Sequence, residues 1–110
     1  MIRINIRRNK KNDIESFSVE GHADFDEFGK DIVCASVSIL TQTAVLALYE
    51  VGNIDVTYEM NDGWLSCQIP CNIDSNQREK ANIILDTMLI GIKGTLEMYP
   101  EYIQLQDEEV

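Results

Sequence analysis

The stretch from Ile32 to Val51 constrains the fold more than any other part of the chain. It is apolar along most of its length, and Ser36, Ser38, Thr41, Gln42 and Thr43 interrupt it near the centre. A membrane-spanning helix needs about 20 predominantly apolar residues, so this polar centre predicts a buried core helix and no membrane partner. Asp31 offers a carboxylate as N-cap and Gly52-Asn53 a stop, which sets the helix at about 31–51. Being apolar nearly all round, it is expected to lie within the core. In a chain of 110 residues one such helix can organise one core, so a single domain over 1–110 is the expectation.

The flanking segments switch to strand patterns. Residues 2–7 alternate Ile with polar side chains, and a polar turn at 8–13 leads into a second strand over 14–20. Beyond the central helix, 54–60 and 64–69 read as strands joined by Asn61-Asp62-Gly63, a strong hairpin signal. After Pro70, Asp74 or Ser75 can cap a second helix to about Met98, with Ile84, Met88, Ile92, Thr95 and Tyr99 at helical spacing. Pro100 ends it, and 102–105 form a short last strand before an acidic tail. The reading is an α+β fold, a mainly antiparallel sheet with two helices, in the order strand-strand-helix-strand-strand-helix-strand.

Charge and cysteines narrow the function classes. The net charge of −10 argues against direct binding of nucleic acid, whose phosphates need cations, and favours a cationic partner. Five basic residues, Arg3, Arg7, Arg8, Lys10 and Lys11, precede the first acid and read as the solvated face and tip of a hairpin. The first residues alternate in polarity and lack the apolar block of a signal peptide. The odd number of cysteines, Cys34, Cys67 and Cys71, fits free thiols in a reduced, cytoplasmic setting.

Chemistry has few candidates. His22 is the sole histidine, so a histidine base must be this residue. With Asp31 as N-cap, Cys34 is the third helical residue, where unpaired amides favour a thiolate and the N–H groups of Cys34 and Ala35 could face an oxyanion. Asp31 opposes this, since a nearby carboxylate raises a thiol pKa, and a protonated His22 would have to outweigh it. The loop between is long enough to bring imidazole to sulfur. The competing reading is a buried cysteine that packs as a small apolar residue. A zinc site from His22, Cys34, Cys67 and Cys71 is disfavoured, because Cys67 lies in a strand and Pro70 separates it from Cys71; no metal is expected. His22-Ala23-Asp24 with Pro70-Cys71 mimics a zinc deaminase signature, but Asp24 and Asp74 stand where Glu and Cys are required.

Gly21-His22-Ala23, then Gly29, then Asp31-Ile32-Val33-Cys34-Ala35-Ser36-Val37-Ser38, resembles the ribosomal-processing cysteine protease family Prp, in length and element order over the whole chain. Ser36 departs from the alanine or glycine common there. The resemblance implies a cytoplasmic homodimer without cofactor that removes a short N-terminal extension from a large-subunit ribosomal protein, cutting after two aromatic residues. It implies Cys34 as nucleophile and His22 as base, with Asp31 and Ser38 in support. Gly21 and Gly29 are candidate hinges of an acidic flap over 22–30, in which Phe25 and Phe28 either anchor the loop or cover substrate. The alternative function is a non-catalytic acidic module that docks on ribosomal or other basic proteins.

Overall fold

The computed structural model describes residues 1–27 and 31–109, so Phe28 and the candidate hinge Gly29 lie outside the described residues. The elements run β1 (Ile2–Arg8), β2 (Ile14–Glu20), α1 (Ile32–Glu50), β3 (Thr57–Asn61), β4 (Trp64–Gln68), α2 (Ser75–Met98) and β5 (Ile103–Glu109). The five strands form one sheet in the order β3-β4-β2-β1-β5. Every neighbouring pair is antiparallel except β1 with β5, which is parallel. The expected α+β class and element order are therefore observed.

The period-two pattern of β1 sends Ile2, Ile4 and Ile6 into the core, where Phe17, Leu65, Cys67 and Ile103 join them from other strands. Asn5 pairs with Ser18 and Gln106, and Ser18 with Ser66, so the intervening positions of four strands are polar. Val33, Val37, Ala44, Val45 and Leu48 of α1, and Ala81, Leu85, Met88, Leu89 and Ile92 of α2, complete the core. The core face of α2 is broader than the expected stripe, because Ala81, Leu85 and Leu89 add a second row to Met88 and Ile92. Asp74 caps α2 through a reciprocal pair with Gln77, in which Gln77 N–H donates to Asp74 Oδ1 at 2.8 Å and Asp74 N–H to Gln77 Oε1 at 3.0 Å.

Three expectations need correction. The first is that α1 is not buried all round: Ile32, Ile39 and Leu46 are 52%, 67% and 60% exposed. Its outward face is apolar without being part of the core, and periodicity cannot separate those two cases. Secondly, β3 begins at Thr57 instead of Ile54, because 52–56 close the C-terminal end of α1. Ile54 N–H donates to Leu48 O at 2.9 Å, Asn53 takes φ 56°, and Ile54 and Val56 are buried as a plug over the last turn. Thirdly, the acidic tail continues β5 to Glu109 beside the basic strand β1. Arg8 grips Asp107 with two bonds, Nε to Oδ1 at 2.7 Å and Nη2 to Oδ2 at 3.1 Å.

Candidate active site

The first turn of α1 is built around one carboxylate. Asp31 Oδ1 accepts the N–H groups of Val33 and Cys34, each at 3.0 Å, as an N-cap does. Its Oδ2 accepts Phe25 N–H at 2.9 Å and Asp26 N–H at 3.4 Å, which ties the preceding loop to the helix. Burial pushes the Asp31 carboxyl up, but the backbone donors from Cys34, Phe25, Asp26 and Val33 outweigh it and hold it below its ordinary value. Asp24, at φ 56°, turns the chain into this arrangement, a left-handed conformation that Asp tolerates better than most residues. Phe25 sets the loop against the segment that follows α2, edge-on to Tyr99 at 5.5 Å and Tyr102 at 5.2 Å.

Cys34 is partly buried, and its Sγ accepts Ala23 N–H at 3.2 Å. Burial pushes the thiol up, Ala23 N–H pulls it back, and the carboxylates of Asp31 and Asp24 add to the rise. The thiol is the favoured form in this state, and the expected gain from the helix N-terminus does not prevail. The amides of the first turn do not offset the burial, because they point elsewhere. Cys34 N–H is taken by Asp31 Oδ1, and Ala35 N–H by Asp31 O at 3.0 Å, so neither expected oxyanion donor is unpaired here.

His22 approaches from the opposite wall. Gly21, at φ +93°, has no room for a side chain, since a Cβ there would stand 2.3 Å from Met1 O. Its N–H donates to Gly63 O at 2.9 Å, which fastens the loop to the β3–β4 turn. The His22 ring then lies against that turn, with Nε2 4.0 Å from Asp62 Oδ1 and a side chain about half exposed. His22, Cys34, Asp31 and Ser38 all line one cleft of about 700 Å³ between the start of α1 and the β3–β4 turn. Ser38 stands one turn beyond Cys34 on the same helix face. Among the described residues Sγ bonds to Ala23 and the imidazole neighbours Asp62, so the two groups share the cleft without bonding each other.

By sequence Asn61-Asp62-Gly63 is a hairpin turn alone, yet all three residues line the cleft. No local signal could reveal this, because the turn reaches His22 through the β2–β4 register, where Glu20 pairs with Trp64.

The family model for cysteine protease Prp matches residues 1–104. The chain belongs to the Prp family of cysteine proteases. That membership sets aside the alternative of a non-catalytic binding module. The ribosomal processing cysteine protease Prp of Staphylococcus aureus strain Mu50 is 34% identical over 107 residues, 96% of this chain and 97% of that protein. The protein of the same name from Bacillus subtilis strain 168 is 28% identical over 107 residues, with 96% of each chain covered. A crystal structure of the S. aureus Prp with a covalently linked product peptide superposes with a TM-score of 0.88 at 28% identity, covering 98% of this chain and 100% of that one.

Proposed function

We propose that this Prp-family protease removes a short N-terminal extension from a protein of the large ribosomal subunit, with Cys34 as nucleophile and His22 as base. The observation that carries the reading is the shared cleft: it holds the sole histidine and a partly buried cysteine at the start of a helix. The relatives named for ribosomal processing support the substrate class, and the net charge of −10 suits a basic ribosomal protein.

On this reading His22 takes the Cys34 proton as sulfur attacks the scissile carbonyl carbon, and the carbonyl electron pair moves onto oxygen. Collapse of that intermediate breaks the C–N bond, and the imidazolium returns its proton to the departing amine. A water deprotonated by His22 then attacks the thioester, the C–S bond breaks, and the sulfur regains a proton. Because the free state favours the thiol, proton transfer belongs to the substrate-bound state, in which loosely placed catalytic pairs tighten. Asp31 holds Cys34 in place by capping the helix, and Ser38 borders the substrate path.

The test is incubation with an extended ribosomal protein and mass analysis of the product. Cys34→Ala should abolish cleavage, and His22→Ala should slow it about 100-fold or more. Cleavage retained by Cys34→Ala would end the assignment of the nucleophile.

The same reading includes a cytoplasmic homodimer. Ile32, Ile39 and Leu46 recur every seven residues on α1, as Ile83 and Ile90 do on α2, and all are more than half exposed. The two helices meet where Leu40 lies over Gly91, so these stripes flank one seam, and a second copy of this chain is the proposed cover. Ile39→Glu should halve the mass by light scattering while leaving the fold intact; an unchanged mass would exclude this face. The cytoplasmic assignment accords with three free thiols, and cell fractionation tests it.

A further inference from the structure

We propose that Gly63 is a positioning residue for the reaction, a bare platform on which the His22 imidazole rests; this depends on the assignment of His22 as base. An ideal Cβ on Gly63 would lie 2.7 Å from His22 Nε2, 3.3 Å from Cε1 and 3.4 Å from Cδ2. Three ring atoms at such range place the imidazole directly over the position a side chain would occupy. The backbone explains why the platform is there. Gly63 at φ +74° ends a tight β3–β4 turn, and its carbonyl accepts Gly21 N–H at 2.9 Å, one residue before His22. The turn that lacks a side chain under the ring is thus the turn that holds the ring's own backbone.

Asp62, the preceding residue of the turn, flanks the ring with a carboxylate 4.0 Å from Nε2. It is well exposed, so its pull on an imidazolium is weak, and the steric role of Gly63 is the larger effect. Any side chain at 63 forces the flexible imidazole off its place, and the cleft is where that displacement registers, since both residues line it with Cys34.

The decisive variant is Gly63→Ala, assayed for peptide cleavage. A ring displaced by about an ångström should lower kcat about 10- to 100-fold with little change in KM. Unchanged kcat, a raised KM alone, or a faster enzyme would each overturn the proposal, the last because it would make the turn a resting place for the ring. In a His22→Ala background the same substitution should change the rate of Cys34 alkylation less than about twofold, since the group it acts through is gone. Failure of the underlying reading shows separately, as wild-type cleavage by His22→Ala itself. Should Gly63→Ala not fold, the native protein still decides. The chain has a single histidine, so its ring signals are unambiguous, and nuclear Overhauser contacts from Gly63 Hα to them are expected. Their absence would overturn the platform.

Discussion

Asp31 shows how much one side chain can hold. It caps α1 and also gathers the backbone of Phe25 and Asp26, so Asp31→Asn is less conservative than a cap alone implies. Oδ1 is reproduced, but an amide nitrogen in place of Oδ2 faces an N–H donor. A loss of about 1 kcal/mol in chemical denaturation is expected, with the 22–27 segment loosened in hydrogen exchange. The pH sign follows from the lowered carboxyl. The native state gives up its proton more readily than the unfolded chain, so Asp31 stabilises above the ordinary value of 3.8, and the gain is lost as pH falls through the lowered native value. The wild type should lose this contribution in acid and the Asn variant should not, as acid titrations of stability can measure. At Cys34 the sign is opposite. Burial first, then Asp31 and Asp24, raise the thiol above its ordinary 9.0. Asp24→Asn removes one of those charges, and iodoacetamide should then label Cys34 about twofold faster at pH 8. An unchanged rate would show that solvent screens Asp24.

At the scale of elements, local chemistry and long-range pairing act on the same strands. The caps and stops of α1 and α2 were readable because each is made by residues a few positions apart, as in Asp31 with Cys34 or Asp74 with Gln77. The extent of β5 was not readable, since its partner β1 lies at the other end of the chain. The bond to Asp107 raises the Arg8 guanidinium above its ordinary value and outweighs the partial burial that works against its charge. Arg8→Ala should therefore fray β5, with faster exchange at 106–109 and a loss of about 1 kcal/mol. Equal exchange in both proteins would mean that the backbone ladder alone orders the tail.

Across the whole molecule the sheet's buried interior has its own pH dependence. Burial pushes the Cys67 thiol up to about 12 in the core. Below the unfolded thiol value of 9.0 its contribution is intact, and it is lost as pH rises from there towards 12, because the unfolded chain releases the proton first. Denaturant midpoints should fall through that alkaline window, and Cys67→Ala, though weakened by a cavity, should show a flatter decline. The sequence by itself determined the α+β element order, the Asp31 cap of α1, the cap of α2 to within Asp74 or Ser75, the β-hairpins and the pairing in sequence of the Gly21-His22-Ala23 and Cys34 motifs. Each depends on periodicity, turn chemistry or spacing within a short segment. Only the tertiary structure decided that burial disfavours the free thiolate and that the sulfur bonds Ala23 N–H across the loop. It alone placed the β3–β4 turn under His22 and left Ile39, Leu46 and Ile90 facing outward. Desolvation, strand register and the choice of hydrogen-bond partner depend on residues far apart in the chain, and these meet only when the sheet and helices assemble.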